Sequence, residues 1–334
     1  MSQTTIFRPD ILGPDYEQAT IDLGKDPDTG KAVQAVVVKA IAGNKKADPN
    51  KPALLWIHGM SDYFFQTHVA EYFTELGYPF YAVDLRRSGR SRKAGQRWHY
   101  TRDVANYYPE LNAALDIITD DVASQKVIPV AHSTGGLIAP LWLDYLRRED
   151  PKRHAHIAGL ILNSPWLDLQ YHPVFVTLAR PVMNTVGRFL PLLPLPQDNL
   201  GTYGESIHHS KHGEWHFDTA MKPVYGHRKY FGWIRAINKA QQQIHAGNID
   251  TGVPTLTLVS AHSYLGKDYS AAADTADTVL DVEQIRRWAP TLSHTSTVKT
   301  IEGARHDVFL SESFAREVAF KTTAEWLELS LIHI

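Results

Sequence analysis

Apolar runs of strand length alternate through most of this chain with longer stretches whose apolar positions recur at helical spacing. Residues 53–57, 79–83, 127–131 and 157–163 are short and almost wholly apolar, as strands covered on both faces are. Between them, residues 68–76, closed by Gly77, and residues 104–120, with Leu111, Leu115 and Ile118 on one face, carry the helical period. Another helical stretch follows Ser133 and ends near Arg148. Upstream, residues 16–23 and 32–40 read as two strands joined by the turn Asp26-Pro27-Asp28-Thr29-Gly30, an antiparallel hairpin at the sheet edge. At Pro165 the alternation stops, and residues 165–250 are rich in proline, histidine and aromatic side chains with helical pieces between. Residues 254–260 and 296–301 then restore the strands, and residues 311–329 supply a closing helix.

This order predicts an α/β fold with a mostly parallel sheet and helices on both faces. The interruption predicts an inserted, mainly helical cap. Residues 1–164 and 251–334 then form the two parts of the core, and residues 165–250 the cap. Ligands of such sheets bind beyond the carboxyl ends of the strands. His58, Asp84, Ser133, Ser260 and the loop after Ile301 fall there.

The chemistry centres on Ala131-His132-Ser133-Thr134-Gly135-Gly136. A strand that reverses sharply into a helix strains its turn residue and needs small neighbours. It also pushes the serine hydroxyl out at the sheet edge, with the N–H groups of the helix start behind it. Ala131 stands where the usual G-x-S-x-G pattern has its first glycine. Pro129 removes a ladder donor from the strand, and Pro140 predicts a kink in the helix. A serine hydroxyl needs a base within hydrogen-bond reach, and the base needs an orienting acid. The order expected for this strand pattern is serine, acid, histidine. His306, beyond the last strand and the turn at Gly303, is the candidate base. The acid belongs in the loop after Ser260. There Asp277 is chosen ahead of Asp268 and Asp274, while Asp281, three places before Gln284, reads as a helix cap. The backbone N–H groups of Met60 and Thr134 are the candidate oxyanion donors, with His58 in a position to orient the Met60 loop.

Together these residues resemble the α/β-hydrolase superfamily, and within it the monoacylglycerol lipase and lysophospholipase group, which includes serine aminopeptidase-like hydrolases. The matching pieces are His58-Gly59-Met60, the stretch from Asp84 to Ser91, Ala131 to Gly136, Asp277-Thr278-Val279 and Gly303 to His306. The resemblance implies a Ser-Asp-His triad, an acyl-serine intermediate, a helical cap, and no metal or organic cofactor. The chain departs from the family pattern at Ala131, at Arg87 where the family usually has glycine, and in an acid loop several residues longer than usual.

Composition narrows the partners. A net charge of −2 gives no electrostatic case for nucleic acid, and the absence of cysteine excludes disulfides, thiolate metal sites and a cysteine nucleophile. Residues 1–15 lack the apolar core of a signal peptide, and no run of about 18 apolar residues occurs, so a cytoplasmic protein is expected. Val174, Phe175, Val176, Leu178, Val182 and Met183, followed by four leucines up to Leu195, suit an acyl pocket or a lipid-facing lid as well as packing of the cap onto the core. Pro181, Pro191, Pro194 and Pro196 break that run. A small-molecule ester with an apolar acyl chain is the expected substrate, with transient contact of the cap on a lipid surface. His208, His209, His212 and His216 have the spacing of a zinc site but no thiolate and few carboxylates nearby, so they read as polar cap surface and no metal is expected. An amidase or aminopeptidase on the same three residues is the alternative, and it needs an acidic anchor for a free amine. A non-catalytic binding protein on this fold has no use for Ser133, Asp277 and His306 together.

Overall fold

A computed structural model describes residues 5–170, 173–196 and 201–331. Nine strands form one sheet: β1 (Arg8–Asp10), β2 (Gly13–Lys25), β3 (Ala32–Ala40), β4 (Ala53–Ile57), β5 (Phe80–Asp84), β6 (Val127–His132), β7 (Leu160–Asn163), β8 (Thr255–Ser260) and β9 (Ser296–Ile301). Their order is β1-β2-β3-β5-β4-β6-β7-β8-β9. Pairing is antiparallel from β1 through β3 to β5 and parallel from β5 to β9. The helices are α1 (Ile41–Asn44), α2 (Thr67–Glu75), α3 (Tyr108–Asp121), α4 (Thr134–Glu149), α5 (Pro151–His154), α6 (Pro173–Phe189), α7 (Gly201–Ile207), α8 (Phe231–His245), α9 (Val282–Trp288) and α10 (Ser313–Leu331). The segment between β7 and β8 carries α6, α7 and α8.

Both faces of the sheet are covered, and β4 shows it residue by residue. Leu54 and Trp56 pack with α2 and α10 side chains such as Phe73 and Phe320. Leu55 and Ile57 point the other way, into a core shared with Leu111 and Leu115 of α3 and Leu137 and Trp142 of α4. All five β4 side chains are buried, so no polar residue can stand in that strand without an internal partner. The outermost strand β9 has one buried side chain and an exposed Lys299, as a sheet edge requires.

Two departures noted in the sequence have local explanations. Pro129 lies between the isolated bridge Val127↔Ile157 and the ladder that resumes at Val130↔Ile161. The register slips by one residue between them, so the missing N–H falls where the β6–β7 ladder is already broken. Arg87 has φ 61°, the left-handed backbone that glycine adopts without strain. Its guanidinium is buried, pairs with Asp26 at 2.6 Å and donates to the Tyr100 carbonyl, contacts that hold the residue in that conformation. Helix α4 continues through Pro140.

Among the described residues, no helix is long and apolar enough to cross a membrane.

Candidate active site

Ser133 sits between β6 and α4 with φ 52° and ψ −111°, a strained turn for a residue with a side chain. The close packing around it explains the flanking small residues. A Cβ on Gly135 would lie 2.7 Å from the carbonyl oxygens of Ile57 and His58, and one on Gly136 would lie 2.7 Å from Pro165 Cβ. Ala131 is tolerated where the common pattern has glycine because it is an ordinary buried strand residue paired with Ile57 and Leu162.

His306 stands on the loop after β9, beyond Gly303 at φ 70°. Its Nε2 lies 3.0 Å from Ser133 Oγ, and its Nδ1 lies 2.9 Å from Asp277 Oδ2. All three side chains are buried. Asp277 Oδ1 accepts the N–H groups of Val279 and Leu280, both at 2.8 Å, so each carboxylate oxygen has its own task. The long acid loop does not displace Asp277. Asp277 N–H donates to the His262 carbonyl and the Asp277 carbonyl accepts from Tyr264, so residues 265–276 leave and return as a side excursion. Asp268 is exposed, Asp274 pairs with Arg305 at 2.9 Å, and Asp281 caps α9 by accepting the Glu283 N–H.

The loop after β4 runs directly past the serine. A Cβ on Gly59 would come within 3.0 Å of Ser133 Cβ. Leu85 N–H donates to His58 Nε2 at 3.0 Å, so the ring proton is on Nδ1, which donates to the Gly59 carbonyl at 2.7 Å. The Gly59 C=O and the Met60 N–H are opposite ends of one planar peptide. The buried His58 imidazole therefore fixes the direction of the Met60 N–H. Met60 and Thr134 border the same cavity as Ser133, one after β4 and the other at the first turn of α4.

That cavity has a volume of about 330 Å³. Trp166, Leu169, Val176, Ala179, Met183, Leu195, Trp233, Ile234, Val279 and Leu280 supply its apolar wall, Gln170 and Lys229 its polar edge, and no carboxylate borders it among the described residues. The side chains of Val174 and Phe175, read in the sequence as part of the same apolar run, lie outside the described residues.

Several neighbours carry no signal in the sequence. Buried His132 lies 4.8 Å from the His306 ring, and its Nδ1 donates to the Asn163 carbonyl at 3.2 Å. Burial first, then the adjacent His306, pushes its pKa down to about 4, against the opposing pull of Asp307. A neutral His132 does not repel a proton arriving on His306. Asp307 accepts from Asn163 Nδ2 at 2.7 Å and from Gln66 Nε2 at 3.2 Å, which pins the loop that carries His306. Tyr203 of α7 covers His306 edge-on, with ring centroids 5.4 Å apart. Its hydroxyl is held well above the usual tyrosine range by burial. His208, His209, His212 and His216 make ordinary polar and ring contacts: His208 with Ser210 and His209, His209 with His216, and His212 stacked on Tyr269. Among the described residues, no three histidine or carboxylate side chains are grouped so as to hold a metal ion.

A hydroxyl, an imidazole and a carboxylate in this chain of hydrogen bonds, bordering a mostly apolar cavity, are suited to nucleophilic attack on a carbonyl. The family model described as serine aminopeptidase, S33, matches residues 48–313. The chain belongs to that family. This S33 chain is an α/β-hydrolase, and its fold is shared by solved structures of low identity. A soluble variant of monoglyceride lipase from Saccharomyces cerevisiae, in complex with a substrate analog, is 14% identical, with a TM-score of 0.63 over 99% of this chain and 95% of that one. A monoacylglycerol lipase from Paleococcus ferrophilus is 18% identical, with a TM-score of 0.58 over 84% and 96%. A thermostable carboxyl esterase from Bacillus coagulans is 14% identical, with a TM-score of 0.62 over 93% and 99%. No curated protein sequence matches the chain. The family is one of hydrolases, and the solved structures share its fold.

Proposed function

We propose that the protein is a serine esterase that cleaves carboxylic esters with an apolar acyl group, lipid-like esters such as monoacylglycerols or lysophospholipids included, through an acyl-serine intermediate. Ser133 Oγ attacks the ester carbonyl carbon while His306 Nε2 takes its proton. Asp277 holds the proton on Nδ1 and stabilises the imidazolium without accepting the proton itself. The carbonyl oxygen, now an oxyanion, accepts from the N–H groups of Met60 and Thr134. Collapse expels the alcohol, which leaves with the proton from His306. Water then repeats the sequence on the acyl-enzyme and releases the acid. Residues 165–250 act as the cap that supplies most of the acyl wall.

The observation that carries this reading is that Ser133, bonded to His306, borders a cavity whose described lining is mostly apolar and free of carboxylates. An aminopeptidase would need an anionic anchor for the substrate amine, and that lining offers none. The test is direct. Short p-nitrophenyl esters are hydrolysed by the wild type, and a fluorophosphonate labels Ser133. In Ser133→Ala both are lost, the rate falling by about 10⁴-fold or more. Retained esterase activity in Ser133→Ala overturns the assignment, and faster cleavage of aminoacyl amides than of esters favours the aminopeptidase.

Acyl length should be set by α6. Ala179 is the smallest side chain this helix presents to the cavity. Ala179→Phe is expected to leave acetyl esters nearly unchanged and to lower kcat/KM for octanoyl esters about tenfold or more, since each methylene kept from burial costs about 0.8 kcal/mol. A graded acyl panel measures it. Leu178, Val182 and Phe189 of the same helix are 71%, 58% and 71% exposed, which supports contact with a lipid surface and predicts faster turnover of the long esters in micelles than as monomers.

A further inference from the structure

Loop 59–66, which carries the Met60 N–H, is held from the core side by His58. Its outer side is held by the inserted segment. Lys222 Nζ lies 2.8 Å from Asp62 Oδ1, and both side chains are almost fully buried. The ammonium also faces the rings of Phe65, Tyr203 and Phe217, with its nitrogen 5.4, 5.5 and 5.7 Å from their centroids. Two backbone amides of the same stretch reach the loop: Asp218 N–H donates to Tyr63 Oη at 2.8 Å, and His227 N–H to Ser61 Oγ at 3.0 Å. Ser61 follows Met60 directly and sits at φ 53°, a conformation a serine keeps only when its surroundings hold it. The strap is itself braced. The His227 ring stacks on Trp98 at 3.9 Å, and its Nε2 donates to the Met221 carbonyl at 3.2 Å.

We infer that Lys222 is a positioning residue for the oxyanion donor: through its buried pair with Asp62 it holds loop 59–66 so that the Met60 N–H points at the developing charge on the substrate oxygen. This rests on the serine-esterase reading given above. Two features favour it over packing alone. A lysine held among three aromatic rings could be replaced by a methionine with better burial, and a lone pair of buried charges seldom stabilises more than an apolar substitute. The pair also sits two residues from the proposed donor, on the loop whose peptide planes decide its direction. A donor turned away from the oxyanion affects the transition state and leaves ground-state binding unchanged.

The test compares Lys222→Met, Lys222→Arg and the neutral pair Asp62→Asn/Lys222→Met with wild type and Ser133→Ala. Lys222→Met is expected to lose roughly ten- to a hundred-fold in kcat on a short p-nitrophenyl ester, with KM within about threefold, because losing one donor outright costs about 10²–10³. Affinity for an aryl trifluoromethyl ketone, whose Ser133 adduct puts an oxyanion in the same place, should fall in parallel, and Lys222→Arg should recover part of both. Wild-type kcat in Lys222→Met overturns the inference, as does a loss carried by KM with unchanged ketone affinity. Should Lys222→Met not fold, the neutral pair decides, since it keeps both shapes without a buried unpaired charge. A slow, folded double variant supports the role, whereas a fast one, or one that does not fold, overturns it. Activity surviving in Ser133→Ala would refute the esterase reading instead, so the two failures are distinguishable.

Discussion

Asp277→Asn is expected to lower kcat by about 10⁴-fold while leaving the melting temperature close to wild type. The direction follows from how the carboxylate is used. Oδ1 accepts two backbone N–H groups, from Val279 and Leu280, and can be replaced only by the amide oxygen of asparagine. The amide NH₂ must then occupy the Oδ2 position, 2.9 Å from His306 Nδ1. It can only donate there, so Nδ1 loses its proton and the ring carries hydrogen on Nε2 instead. The imidazole now donates toward Ser133 Oγ and can no longer take its proton. Packing and loop contacts are kept, which is why stability should hold. Steady-state kinetics with a thermal melt measures both. The assignment fails if Asp277→Asn keeps activity within tenfold of wild type while Asp268→Asn or Asp274→Asn loses it.

Acid should destabilise the protein well above the pH at which its carboxylates protonate. Burial, then neighbouring positive groups led by His227, pushes the pKa of His99 down to about 3, and burial first holds His132 at about 4 and His227 at about 4. In the unfolded chain each returns to about 6.5. Above that pH neither state binds the extra protons, and the histidines do not affect stability. Between about pH 6.5 and 4 the unfolded chain binds them and the folded one does not, so stability falls as the pH falls. At pH 5 the two fully buried rings, His99 and His132, together cost about 4 kcal/mol, a large share of the 5–15 kcal/mol typical of a domain. His227, partly exposed, adds less. Glu110, whose buried carboxyl is raised by desolvation despite Arg86, works in the opposite direction and offsets part of the loss. Urea midpoints measured from pH 8 to 4.5 should drop steeply below 6.5, and His99→Phe should remove one proton from the slope. A flat profile between pH 7 and 5 contradicts this account.

How much of this was legible in the sequence depended on the range of the interaction. The central strands were readable because burial on both faces leaves no polar position, as in Ala53 to Ile57. Strand β1 was not, since Arg8–Asp10 is only three residues long and is held by a distant pair, Arg90 with Asp10 at 2.7 Å. Ser133 and His306 were legible from their places at strand ends. Asp277 could be singled out but not secured, because the bridge that returns the long loop to Ser263 is a backbone contact that leaves no mark on residue identity. The neighbours that tune the site were silent for a related reason. Lys222 finds Asp62 across 160 positions, Asn163 finds Asp307 across 144, and Tyr203 reaches His306 from another part of the chain. No local period or spacing records such meetings.

The segment bearing α6 to α8 leaves and re-enters the sheet between β7 and β8, which are neighbours in register. Chimeras that replace it would keep every strand connection, and with them Ser133, Asp277 and His306, so acyl preference could be exchanged separately from the reactive groups. The exchange has one electrostatic condition. Asp62 stays behind in the recipient, buried and negative, and a donor segment that brings no cation to it would leave that carboxylate without its counter-charge in the loop that follows β4.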